Sequence, residues 1–97
     1  MLTGKQKRYL RSLAMNIEPV VQIGKFGLED TVVDSARKAI TKRELIKVKL
    51  NQNTLEELET VAAELTNALQ AELVQIIGKN VVLFKQKKEN SKFELPE

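Results

Sequence analysis

Two glycines three residues apart, Gly24 and Gly27, bracket a base and an aromatic, Lys25 and Phe26. Glycine lets a backbone come close to a phosphate chain and adopt conformations that other residues avoid. A helix that follows such a loop offers unpaired N–H groups to an anion. Lys25 adds charge to that cradle, and Phe26 has the flat face needed to stack on an unpaired base, an interaction worth about 1–3 kcal/mol where it forms. The plainer reading of the same four residues is a strand-to-helix turn with Phe26 folded into the core. Glu29 and Asp30, just beyond the loop, oppose anion binding at that point.

Other chemistry is scarce. The 97 residues include no cysteine and no histidine, so disulfides, thiolate or imidazole metal sites and the common nucleophile systems are unavailable. No P-loop or dinucleotide fingerprint occurs. An enzyme is therefore the least expected class, and no cofactor, metal or small-molecule substrate is expected. The opening residues, Met1 to Arg8, contain no apolar leader segment. No run anywhere approaches the ~20 apolar residues of a membrane helix, so a cytoplasmic protein without membrane attachment is expected.

Charge is divided along the chain. The net charge is +3 from 16 bases and 13 acids, but Leu50 to Gly78 holds five acids (Glu56, Glu57, Glu59, Glu64 and Glu72) and no base. The remainder carries 16 bases against 8 acids, or +8. Such a division lets one side of a molecule hold a polyanion while the other faces solvent. A merely solvated charged surface has the same composition.

The elements that must position these groups follow from pattern. Thr3 and Gln6 have the spacing of a capping box, opening a helix to about Met15 with Tyr9, Leu10, Leu13 and Ala14 on one side and Lys5, Lys7, Arg8 and Arg11 on the other. Tyr9 and Phe84 occupy positions suited to packing. After Pro19, the β-branched run Val20 to Ile23 predicts a short buried strand leading into the glycine loop. Val32, Val33, Ala36, Ala39 and Ile40 recur at helical spacing over residues 28–41. Ile46, Val48 and Leu50 alternate with Lys47 and Lys49, as in a strand with one face on a core and a basic face in water. Thr54 and Glu57 predict a second capping box, opening a helix whose stripe is Leu55, Leu58, Val61, Ala62, Leu65 and Leu69 and whose outer face is acidic. Two β-rich runs separated by Gly78-Lys79 predict a terminal hairpin. The order is α-β-α-β-α-β-β, an α/β two-layer sandwich in which right-handed crossovers build a four-stranded mixed sheet with at least two helices on one face. Residues 1–86 form the expected domain, and 87–97 a basic, poorly ordered tail with Phe93 and Leu95 as its possible anchors.

Four segments together resemble the CRM domain family (chloroplast RNA splicing and ribosome maturation), specifically its stand-alone bacterial members of the YhbY type. They are Leu2-Thr3-Gly4-Lys5-Gln6-Lys7-Arg8-Tyr9-Leu10, Pro19-Val20-Val21-Gln22-Ile23-Gly24-Lys25-Phe26-Gly27-Leu28, Glu44-Leu45-Ile46-Lys47-Val48-Lys49 and Gln75-Ile76-Ile77-Gly78-Lys79-Asn80-Val81-Val82-Leu83-Phe84-Lys85. The resemblance implies a fold similar to the C-terminal domain of translation initiation factor three, a GxxG loop analogous to that of KH domains at Gly24 to Gly27, RNA binding, and association with precursors of the large ribosomal subunit. The chain departs from the family pattern in two places: Glu29 stands where Thr is frequent, and Phe84-Lys85 where Tyr-Arg is frequent.

The leading expectation is a monomeric, non-enzymatic RNA-binding protein that meets large-subunit ribosomal RNA or its precursor particles through Gly24, Lys25, Phe26, Gly27, Lys5, Arg8, Arg11, Lys47 and Lys49. The alternative is a protein-binding adaptor on the ribosome that docks through the acidic face of the third helix.

Overall fold

The computed structural model describes residues 2–54 and 57–97. Its elements in chain order are α1 (Gly4–Ala14), β1 (Val21–Ile23), α2 (Asp30–Arg43), β2 (Leu45–Leu50), α3 (Leu58–Leu69), β3 (Glu72–Ile77) and β4 (Asn80–Phe84). The α-β-α-β-α-β-β order expected from pattern is the order observed.

Helix α1 starts where local chemistry dictates. The Thr3 hydroxyl accepts the Gln6 backbone N–H at 3.1 Å, and the Gln6 side-chain oxygen accepts the Thr3 N–H at 2.9 Å, so two amides that the helix cannot pair are both satisfied. Helix α2 begins after Glu29, whose side chain makes no capping bond; it relies on Asp30 in its first turn and on Lys42 and Arg43 in its last to suit the helix dipole. Helix α3 departs from expectation. Thr54 does not cap it: the helix begins at Leu58 after Glu57, again without a side-chain cap. The Thr54 hydroxyl instead lies 2.9 Å from the Ile23 carbonyl and 3.0 Å from that of Gly24, a partnership across 30 residues that three-residue spacing does not reveal. Leu55, expected in the α3 stripe, and Glu56, expected on its acidic face, lie outside the described residues.

The strands form one sheet in the order β1-β2-β4-β3. Strands β1 and β2 are parallel, and β4 is antiparallel to both β2 and β3. Hence β1, β2 and β3 run one way and β4 runs back between β2 and β3. The hairpin turns on Gly78, whose φ of 58° suits a residue without Cβ.

Because side chains alternate across a strand, the sheet has two distinct faces. On one, Ile46, Val48, Leu50, Val81 and Leu83 pack with Ala36 and Ile40 of α2 and with Val61, Ala62, Leu65 and Leu69 of α3. This is the two-layer sandwich that pattern predicts. On the other face, a smaller core joins Leu45, Val74, Val82 and Phe84 to Leu10 and Ala14 of α1, with Leu2, Leu13, Phe93 and Leu95 against it. Helix α1 thus adds a partial third layer. Tyr9, read as a packing residue, is 36% exposed, whereas Phe84 is 1% exposed.

The second core also engages residues 87–97. Phe93 meets Phe84 edge to face, with ring centroids 5.4 Å apart, and the Gln6 amide donates to the Pro96 carbonyl at 3.1 Å. Phe93 and Leu95 are thus placed as anchors of a segment read as a flexible tail. The further anchor is Glu44. Its fully buried carboxylate accepts the backbone N–H groups of Lys87 (3.0 Å) and Lys92 (2.8 Å) and the Ser91 hydroxyl (2.6 Å).

Candidate nucleic-acid interface

The Gly24–Gly27 loop is a tight turn. The Gly27 N–H donates to the Gly24 carbonyl at 3.1 Å, which places Lys25 and Phe26 at its two corners. Gly27 follows with φ at 71°, and the Glu29 N–H bends back onto the Gly27 carbonyl at 3.1 Å. Two of the amides that a phosphate cradle would use are therefore engaged inside the loop. What the loop presents outward is the side chains. Phe26 is 74% exposed, so it is not folded into the core, and the Lys25 ammonium lies 5.9 Å from its ring centroid, within cation–π range.

Neighbouring loops hold this turn in place. The Ile23 carbonyl accepts the Asn51 N–H at 2.9 Å and lies beside the Thr54 hydroxyl, so the β2–α3 loop is fastened to the end of β1. One strand further along, the Leu50 N–H donates to the Lys79 carbonyl at 2.8 Å, fastening the hairpin tip to the end of β2. Lys25, Lys49 and Lys79 consequently emerge at one end of the sheet, and all three are exposed. Lys79 was not among the candidates that the sequence singled out. Its signal was there, in a base at the tip of a Gly-Lys hairpin, but its proximity to Lys49 depends on β4 inserting beside β2.

Strand register extends this surface inward. Gln22 pairs with Lys49, Lys49 with Asn80, and Asn80 with Ile77, so these four residues form one row across all four strands on the face that carries α1. The next row is Lys47, Val82 and Gln75. Lys47 is half-buried and Lys49 exposed, so the basic strand face faces open water only at the loop end.

Helix α1 lies along this face with its C-terminus towards the loop end. Ala14 and Met15 line a groove with Ile77 and Asn80, whereas Leu2 and Gln6 line another with Glu72 and Phe84. At ~1.5 Å of rise per residue, Lys5 is about 14 Å from the end of α1 nearest the glycine loop. The candidates therefore fall into two groups along one side of the sheet. Lys25, Phe26 and Lys49 gather at the loop end; Lys5 and Arg8, both exposed, stand at the other, with half-buried Arg11 and Lys47 between. Exposed Glu57, Glu59 and Glu64 belong to the α3 side of the sheet. Helix α2 on that side, however, carries exposed Arg37, Lys38 and Lys42, and Glu72 lies on the α1 side, so the charge division of the sequence does not become a clean division between faces.

A mixed sheet backed by two helices, partly covered by a third and left open and cationic at one end, defines an open-faced α/β sandwich. The chain belongs to the CRM domain family: the family model described as the CRS1 / YhbY (CRM) domain matches residues 2–85. Among its relatives, a Bacillus subtilis protein named "Probable RNA-binding protein YqeI" is 47% identical over 96 residues, covering 99% of this chain and all of that one. A Haemophilus influenzae protein named "RNA-binding protein" is 35% identical over 95 residues, covering 98% of this chain and 95% of its own length. The solution structure of a hypothetical Staphylococcus aureus protein, described as a candidate RNA-binding protein, is 48% identical and superposes with a TM-score of 0.85 over 99% of this chain and all of that one.

Proposed function

We propose that the protein binds RNA without catalysis, as a cytoplasmic monomer, and associates with large-subunit ribosomal RNA or its precursor particles. One observation carries this reading: Lys25, Lys49 and Lys79 come from three separate segments that backbone hydrogen bonds fasten together at one open end of the sheet. Three exposed ammonium groups from converging loops suit a phosphate backbone, which supplies most of the affinity in such complexes. Phe26 adds a ring for an unpaired base at the same end. Gly24 and Gly27 serve as turn formers that place Lys25 and Phe26 outward. Lys5, Arg8 and Arg11 on α1, with Lys47 between, extend the contact along the molecule. The names of the relatives support RNA as the partner.

The test is binding to large-subunit ribosomal RNA fragments across a salt series, with native protein and a Lys25→Glu/Lys49→Glu/Lys79→Glu variant. Removing three phosphate contacts lowers the slope of log affinity against log salt by about 2 on single-stranded RNA, and affinity at low salt falls at least tenfold. Co-sedimentation with large-subunit precursors falls in parallel. Unchanged affinity in the variant moves the RNA site to the basic side of α1. No binding by native protein at low salt favours docking of a basic protein on Glu57, Glu59 and Glu64 of α3.

A further inference from the structure

Beside the lysines of the loop end lies a groove of about 380 Å³ between the end of α1 and the β3–β4 hairpin. Its walls include two apolar side chains that water alone does not account for. Met15, just past the end of α1, is 81% exposed and Ile77, the last residue of β3, is 54% exposed, whereas neighbouring Leu10, Ala14, Val74 and Ile76 pack into the cores. The same groove is lined by Lys47, Gln75 and Asn80, which belong to the two register rows described above. Asn80 has a further peculiarity. Its side-chain oxygen is buried and has no hydrogen-bond partner among the described residues, a costly state for an acceptor in a folded protein.

We propose that this groove seats one unpaired nucleobase of the bound RNA, held between the Met15 thioether and the Ile77 side chain, with its edge hydrogen-bonded to the amides of Asn80 and Gln75. This rests on the RNA-binding reading above and names what that surface selects. Primary amides offer both donors and acceptors, as base edges do. The χ2 torsion of asparagine is soft, so a turn of the Asn80 amide brings its unpartnered oxygen to the groove. A thioether against an aromatic face is a favourable contact. Lys49, in register with Asn80, and Lys79 at the hairpin tip supply cations for the flanking phosphates. A base can enter only if it is splayed out of a helix, so the groove favours single-stranded RNA over the A-form duplex.

The experiment compares native protein with Met15→Ser alone and with Met15→Ser/Ile77→Ser, on a single-stranded ribosomal RNA oligonucleotide and on the same strand annealed to its complement. Both positions are exposed, and the single variant changes a side chain outside every helix and strand, so it tests the groove even if the double variant folds poorly. Affinity for the single strand falls about two- to tenfold, the salt slope stays the same, and duplex binding does not change. The Met15 methyl resonance, observed by ¹³C-methyl labelling, shifts with the single strand and not with the duplex. Equal losses on both RNAs, a changed salt slope, or a Met15 methyl that does not respond overturns the groove inference while RNA binding stands. Absence of any RNA binding by native protein overturns the underlying reading and the groove with it.

Discussion

The α1 face of the sheet has two ends with opposite fates. At one, Leu45, Phe84 and Glu72 stand side by side in register, and α1 and the C-terminal segment close over Leu45 and Phe84 with Leu10, Phe93 and Leu95. At the other, the row Gln22, Lys49, Asn80 and Ile77 has no such cover among the described residues. The register of β3 shifts between Leu73 and Gln75, between the two ends, and the side chains differ: Leu45 and Phe84 are buried apolar groups at the sealed end, whereas Gln22, Lys49 and Asn80 are polar or basic at the open one. Two rows suffice to turn a structural surface into one that can meet a ligand, and stability and binding are thereby assigned to separate ends.

The largest effect that should reveal this separation is at Phe84. Truncating a buried phenylalanine costs about 3–5 kcal/mol, and Phe84→Ala also removes the ring against which Phe93 sits. Urea unfolding should show a loss of that size, whereas Lys49→Ala at the open end should change stability by less than about 0.5 kcal/mol. Comparable losses at the two sites would break the distinction between them.

Glu44 comes next in size and sharpens the comparison at the sealed end. Burial opposes its charge, but the Lys92 N–H, the Ser91 hydroxyl, the Lys87 N–H and the Lys87 ammonium together hold its carboxyl below the usual range. It is also a non-glycine residue at φ 69°, ψ −46°, a conformation of appreciable cost. The C-terminal segment closes on this strained, buried carboxylate and supplies its hydrogen-bond donors. Glu44→Gln, which leaves three donors facing a neutral amide, should destabilise by about 1–3 kcal/mol at pH 7. The folded-state pKa is depressed, so the stabilisation is complete above the ordinary glutamate value of about 4.3 and is lost as pH falls through the folded-state value. Native and variant stabilities should therefore converge on acidification. A gap that persists or widens in acid would remove the charged form of Glu44 from the account.

How much of this was legible depended on how far away each partner lies. The α1 capping box is complete within three residues, and Thr3 and Gln6 behave as their spacing predicts. Thr54 and Glu57 have the same spacing, but the Thr54 hydroxyl finds a partner on β1, which no local pattern encodes. Periodicity identified the apolar stripe of α1 without saying which face of the sheet it covers. Nothing in the alternating pattern that begins at Glu44 indicates its burial; its donors are 43 to 48 residues away. The glycine loop was legible as a turn bearing Lys25 and Phe26, while the exposure of Phe26 followed only once Thr54 and Asn51 had fastened the loop from the side.

Phe26 carries the smallest stability effect and the clearest contrast with Phe84. Both are phenylalanines on or next to the sheet, yet one is 1% and the other 74% exposed. An exposed ring contributes little beyond its cation–π contact with Lys25, so Phe26→Ala should alter the unfolding free energy by less than about 0.5 kcal/mol. Stacking on a base is worth about 1–3 kcal/mol, so the same substitution should lower affinity for single-stranded RNA at least fivefold and leave the salt slope unchanged, because no phosphate contact is lost. A variant less stable by more than about 1 kcal/mol but with native RNA affinity would mean that Phe26 packs rather than binds. The open end would then act through its lysines and the Met15–Ile77 groove, without an aromatic platform in the loop.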